Sequence, residues 1–404
     1  MIARRLWPTL FGLVLVVLLA LLRLADPPPI ATVRDMGFDL EQRLLPRTET
    51  DSPVRVIDID EASLAKIGQW PWPRDVLATL TSRLGELGAA AIGYDALFPE
   101  ADRMAPGNDA KFATALATTP SVLGFSVSHD APPPSVAPKV SVSVSGSFET
   151  PDVPPLPGIV APLPQLATAA HGLGNLSLDS DEAAGVVRQV PLLWRNGDVL
   201  YPSLSIETLR LALGLTTIVA LTDTRGDNTV ESLRIGNFTV PTTATGDIVL
   251  YDRTPDFKQT IPAASVLADD YGRLRDQIAG RIVLVGTSAS GLLDLHATPL
   301  AANVPGVMVH AAVIDQIVAG QYLSRADWVQ GLEILGSVLA GVLLVVVVLR
   351  LGPVPGLLLA AVLIAAMIGA AYEAFALRGW LIDTTFPAIA ALLTYGAMVY
   401  AQFL

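Results

Sequence analysis

The chain has 404 residues, no cysteine, a formal net charge of −12 and a mean hydropathy of +0.51, with only 16% of its residues charged. That is too apolar for an ordinary soluble protein, and the excess is local: four apolar runs flank one mixed, acidic block long enough to bury a full core. The absence of cysteine excludes a disulfide framework and thiolate catalysis, and the acidity of the block argues against nucleic acid or an anionic lipid surface as its partner while remaining compatible with cationic, metal or neutral ligands.

Arg4 and Arg5 precede an apolar run from Leu6 to Leu22, and Arg23 interrupts any small-residue cleavage site. The reading is an uncleaved anchor over 1–24, with a cleaved signal peptide as the alternative, and with the arginines held inside the chain emerges on the outer face. Pro27 to Pro29 stop that helix, and Val33 to Leu45 reads as a short amphipathic helix. Val54, Val56, Ile57 and Ile59 form a β-branched run of the kind buried in a parallel sheet, ending in Asp58 and Asp60. After Gly68 and the Trp70-Pro71-Trp72-Pro73 turn, Val76, Leu77, Leu80, Leu84 and Leu87 take helical spacing, with Gly88 as the stop. Ala89 to Phe98 is a second buried strand, so the unit is β-α-β with parallel strands. Asn108 to Ala117 reads as a helix and Ser121 to Val127 as a third strand.

The Pro-rich segment 131–164, with its V-S-V-S-V-S alternation, breaks the pattern and is expected to be an exposed insertion, a loose hairpin or, preferentially, a mobile loop. Leu173 to Leu178, Val186 to Trp194 and Val199 to Tyr201 read as short strands, Ser203 to Leu213 as an amphipathic helix, and the chain to Tyr251 as a β-rich patch in which Arg225-Gly226-Asp227 is no more than a turn. Arg281 to Gly286 is a central strand, and Val304 to Val318 a helix closed by Gly320. Trp328 to Leu349, Val354 to Leu377 and Trp380 to Leu404 each approach spanning length, and their short links force alternating directions. Glu373 and Asp383, near the outer helix ends, are expected to be solvated.

The expected architecture is therefore an α/β ectodomain, a largely parallel sheet with flanking helices and a β-rich insertion, anchored by four transmembrane helices, one before and three after. The domains are 1–24 (anchor), 25–327 (extracytoplasmic domain) and 328–404 (three-helix bundle), with both termini cytoplasmic.

Ligands of open parallel sheets bind beyond the carboxyl ends of the strands. Three strands end there in polar residues: Asp58 and Asp60, then Asp95, then Thr287, Ser288 and Ser290, with Asp294 and His310 from adjoining segments. Together they would line a cleft suited to a cation or to hydroxyl and amine donors, with Arg74 as a salt-bridge partner for one of the aspartates. The plainer alternative gives each a local role: Asp60 capping the turn at Glu61, Asp95 holding a loop, Thr287 to Ser290 capping a helix. Gly286-Thr287-Ser288-Ala289-Ser290 falls one residue short of a nucleophile elbow, so a hydrolase drafting His310 and Asp294 is a weaker rival. Asp58, Asp60 and Asp95 offer oxygen ligands to a divalent cation, without the spacing of a calcium loop. A transporter is disfavoured by the large ectodomain and by helices that read as lacking paired buried charges.

Four ordered stretches, V-I-D-I-D-E-A-S-L-A-K-I-G-Q-W-P-W-P-R, A-A-A-I-G-Y-D-A-L-F-P-E, G-R-I-V-L-V-G-T-S-A-S-G-L-L-D-L-H-A-T-P-L and V-P-G-V-M-V-H-A-A-V-I-D-Q-I, resemble the CHASE type-two extracellular sensor domain over roughly Arg34 to Leu323. The resemblance implies a dimeric receptor in a bacterial inner membrane whose extracytoplasmic sensor controls a cytoplasmic output. That output is an adenylate or guanylate cyclase, or otherwise a histidine or serine/threonine kinase. No output domain lies within the 404 residues, so a stand-alone sensor is the alternative. The resemblance supplies no ligand; a small molecule, an ion or another periplasmic ligand is expected, with membrane lipid around the helices.

Overall fold

The computed structural model describes all residues except 1, 49–50, 135, 147–149, 179–184, 224–227, 254–258, 290–293 and 404, and divides into two units, Met1–Pro46 with Leu323–Leu404, and Arg47–Tyr322. The first contains α1 (Ile2–Ala25), α2 (Pro28–Leu44) and the helices Asp327–Leu351, Pro353–Arg378 and Thr385–Phe403. The amphipathic segment α2 thus groups with the apolar helices.

Among the described residues, three helical stretches are long and apolar enough to cross a membrane: Trp7–Ala25, Trp328–Leu351 and Pro353–Arg378. Thr385–Phe403 packs with them but starts five residues later than the sequence suggests, because Asp383 stays outside the helix and accepts from the Thr385 and Phe386 amides at 2.9 and 3.3 Å. Asp383 is not solvated as expected: it is 2% exposed, 3.6 Å from the Arg23 guanidinium. Arg23 also pairs with Glu333 at 2.8 Å, Arg325 reaches both Glu333 oxygens at 2.9 and 2.8 Å, and the Asp383 amide donates to Glu333 at 2.7 Å. Paired buried charges therefore do exist among these helices, contrary to the sequence reading, because Arg23 and Glu333 lie far apart in the chain and neither alone announces a partner. Gly341 packs on α1, where a Cβ would come within 2.7 Å of Val16, so this small residue serves contact within one chain. Gly369, by contrast, has open space beside it.

In the second unit, β1 (Val54–Asp58), β2 (Ala91–Tyr94) and β3 (Ser121–Val127) belong to one seven-stranded sheet. The order is Thr260–Pro262, β1, Ile282–Gly286, β2, β3, with Ile159–Val160 and Gly172–Asn175 both on β3. All pairings are parallel except Ile159–Val160, the β-α-β reading being right about direction although Ile282–Gly286 is inserted between its two strands. Alternation divides the apolar side chains between two cores: Ile57, Val283 and Val285 face one, Val54, Val56, Ile282 and Leu284 the other. On the first face lie α3 (Glu61–Ile67), α4 (Arg74–Glu86) and α5 (Asn108–Thr118), which contribute Leu77, Leu80, Leu84, Phe112 and Leu116 to the core. Leu204–Ala212 and Gly306–Ala319 cover the second through Ile206, Leu209, Val307 and Ile314.

A separate four-stranded sheet orders Phe238–Pro241, Val230–Ile235, Thr217–Thr222 and Ser141–Ser145. The V-S-V-S-V alternation is thus not a mobile loop: it pairs in parallel with Thr217–Thr222 and turns Val142 and Val144 onto the second core, leaving the serines outward. Arg225-Gly226-Asp227 lies outside the described residues.

Glu333 is the shared acceptor of two arginines in a dehydrated setting, so Glu333→Ala should cost about 3–5 kcal/mol by stranding Arg23. Replacing Arg23 and Glu333 together by methionine should recover only part of that loss in denaturation of the reconstituted chain, because Asp383 and Arg325 then lose partners in turn.

Candidate functional site

The carboxyl ends of β1, Ile282–Gly286 and β2 are level because their registers place Asp58 beside Gly286 and Val285 beside Tyr94. The ladder runs one residue further on each side, the Ile59 amide donating to Gly286 and the Asp95 amide to Val285, both at 2.8 Å. Beyond this edge opens a cleft of about 470 Å³. Asp95, Thr287 and Asp294 line it, joined by Trp70, Ser126, Ser177 and His296.

The predicted residues separate into two groups. Asp95, Thr287 and Asp294 meet at the cleft, whereas the other five turn into structure around it. Asp60 caps α3, accepting from the Ser63 amide at 2.8 Å, as the plainer alternative expected. Asp58 is 9% exposed and accepts from the Ser288 amide at 2.9 Å and its hydroxyl at 2.6 Å, which pins the loop after Ile282–Gly286 to β1. Burial raises the Asp58 carboxyl despite those two bonds, and the charge of Asp60 adds to the rise. Thr287 also donates to the Ile59 carbonyl at 3.0 Å, so one wall of the cleft is stitched to the other.

Arg74 does not pair with Asp58 or Asp60. As the first residue of α4 it faces the loop that follows β2, lying over the Phe98 ring at 4.7 Å, 3.7 Å from Asp109, and donating its amide to Asp102 at 2.5 Å. Trp72 is buried and donates to the Gly68 carbonyl at 2.8 Å, which closes the turn between α3 and α4 and leaves Trp70 on the cleft. His310 sits behind the cleft with no exposure, its ring 2.8 Å from the Ser205 hydroxyl and 3.3 Å from the Leu176 carbonyl. Burial holds it down at about 4, so it is neutral. Ser288 and His310, the draft nucleophile and base, thus engage different partners, and Ser290 lies outside the described residues.

At the cleft, burial and then the charge of Asp294 push the Asp95 carboxyl well above the usual carboxylate range. Asp294 is held 3.0 Å from the His296 ring on the short strand Leu295–His296, and its carbonyl accepts from the Gly306 amide at 3.1 Å. A Cβ at Gly306 would collide with the Asp294 carboxylate, so that glycine makes room for the acid. Among the described residues no group of three or more His, Asp or Glu side chains is arranged to hold a metal ion; a cation here would meet Asp95 and Asp294 as its carboxylates. Trp70, Ser126, Ser177 and His296 were not singled out as site residues from sequence. Ser126 carried the only usable signal, as a polar residue near the end of another parallel strand.

Ser288→Ala leaves a buried carboxylate short of a donor and should cost about 1–3 kcal/mol, with Asp58→Ala costing as much or more; denaturant midpoints of the purified chain test this. For Asp95 the folded state favours the neutral acid, so its contribution to stability is present at low pH and is lost as pH rises through the raised folded value. Asp95→Asn should leave the melting temperature nearly unchanged at about pH 4 and raise it, relative to the native chain, at about pH 8.

Comparison with curated proteins yields no match, and neither does comparison with solved structures. The CHASE2 domain matches residues 13–347, which takes in the whole parallel sheet, the cleft, most of α1 and most of Asp327–Leu351. With that match covering well over half its length, the chain belongs to the CHASE2 domain family of extracellular sensors of signal-transduction receptors.

Proposed function

We propose that the chain is the sensor and membrane part of a receptor in a bacterial inner membrane, in which a small ligand bound at the cleft beyond β1, Ile282–Gly286 and β2 sets the activity of a cytoplasmic adenylate cyclase. The observation that carries this reading is the juxtaposition of Asp95 and Asp294 in a cleft whose other polar side chains are the hydroxyls of Ser126, Ser177 and Thr287, the Trp70 indole and the His296 ring beside Asp294. The Asp95 carboxyl, whose ionisation burial and the Asp294 charge disfavour, is relieved by a cation, an amine or a hydroxyl donor, and Trp70 adds an aromatic surface suited to a cationic group. A divalent cation belongs to the same class. In this reading Thr385–Phe403 completes four spans, both ends of the chain are cytoplasmic, and the receptor works as a dimer. Ligand shifts its equilibrium only through a difference in affinity between two states. A kinase output or a stand-alone sensor would use the same cleft.

The test is cyclic AMP production in cells carrying the receptor with its native downstream sequence, titrated with small amines and with calcium or magnesium. Asp95→Asn and Asp294→Asn should each weaken the response at least tenfold in half-maximal concentration while Asp60→Asn, away from the cleft, leaves it unchanged. A response that survives both cleft substitutions would place the input elsewhere. A cleft that binds ligand in calorimetry while cyclic AMP stays flat would remove the cyclase and retain the sensor.

A further inference from the structure

Helix α2 has three faces of different chemistry. At 100° per residue, Val33, Met36, Leu40 and Leu44 fall within an arc of about 80°. They form a continuous stripe and are 39, 63, 55 and 64% exposed. Roughly a third of a turn away, Arg34, Phe38 and Glu41 make the face that meets the rest of its own unit. The Arg34 guanidinium bonds Asp26, Arg325 lies 5.5 Å from the Phe38 ring, and Glu41, its Oε2 buried, senses the charge of Asp383 and is pushed up to about 8, chiefly by burial. Gly37, at the margin, comes so close to the start of Thr385–Phe403 that a Cβ would lie 2.8 Å from Thr385. Asp39 and Gln42, at 7 and 2% exposure, are buried and widen the packed face, while Thr32 and Arg43 are exposed and Asp35 is half-buried.

A helix that only bridged two folded parts in water would turn its apolar stripe onto the protein. Here the stripe faces away from the packed side, and polar or charged residues occupy the packed face. Its position says what covers it. Only Asp26 and Pro27 separate α2 from the end of α1, and Asp26 bonds both Arg23 of α1 and Arg34 of α2, fixing the angle of the bend. The apolar outer surface of α1, with Leu18, Leu21, Leu22 and Leu24 all exposed, therefore continues onto α2 with a break of two residues. We propose that α2 lies in the membrane interface, with Val33, Met36, Leu40 and Leu44 among the lipid acyl chains, Arg34, Phe38 and Glu41 against the helix ends with Asp39 and Gln42 buried on the packed side, and Thr32, Asp35 and Arg43 toward water. This assignment is independent of what the cleft binds.

The cysteine-free sequence makes the test direct. Single cysteines at Met36, Leu40, Asp35 and Arg43 of the full chain, each carrying a polarity-sensitive fluorophore, are reconstituted in phosphatidylcholine vesicles containing a shallow spin-labelled lipid. Labels at Met36 and Leu40 should be quenched several-fold more by the lipid-borne quencher than by aqueous iodide, and labels at Asp35 and Arg43 several-fold more by iodide. Equal iodide quenching at all four positions would overturn the proposal. So would stripe labels protected from both quenchers, and in that case disulfide crosslinking between Met36→Cys chains would identify a second copy as the cover.

Discussion

One strand carries the sensor fold. Ile282–Gly286 is drawn from the last third of the second unit and inserted between β1 and β2, with a core on each face. It must be apolar on both sides, which explains its unbroken I-V-L-V run, and it must end in glycine, because a Cβ at Gly286 would come within 2.5 Å of Val307. The sheet cannot close until the chain has passed through the four-stranded insertion and returned, so closure of the sheet and completion of the cleft are one event. The loop after this strand then receives Asp58 on its backbone and hydroxyl, converting a carboxylate available for chemistry into a latch.

Much of this was legible because parallel strands buried on both faces write themselves as short β-branched runs, and because strand direction puts their polar ends together. That logic placed Asp95, Thr287 and Asp294 correctly at one edge without any knowledge of pairing order. It failed for Arg74 because charge proximity in sequence says nothing about which segment a helix terminus faces, and the loop after β2 and the first turn of α5 supplied Asp102 and Asp109 instead. It failed for the V-S-V-S-V segment because flanking prolines outweighed a period-two pattern whose parallel partner lies more than seventy residues away. Trp70 and His296 were hidden for a different reason: each reaches the cleft through a loop or a two-residue strand that no periodicity marks.

The division of labour among the acids follows from what else can reach them. Asp58 and Asp60 have donors supplied by the nearby chain and become structural. For Asp95 the two influences on its charge are burial and a second carboxylate, both unfavourable to ionisation. Under the proposed ligand binding, relief of that electrostatic cost would be a source of differential affinity, since whatever relieves it also selects the geometry that produced it.

The charges shared by Arg23, Glu333, Asp383 and Arg325 set what the membrane helices can do mechanically. Arg23 and Glu333 are 310 residues apart in sequence and sit on two helices that are each long and apolar enough to cross a membrane. A piston stroke of α1 of even one helical turn, about 5.4 Å, would carry the Arg23 guanidinium off its 2.8 Å contact and strand a charge in a dehydrated site. Rotation or tilt about the same point keeps the ions together. The network is thus a fulcrum, and the helices it joins are free to lever while being forbidden to slide.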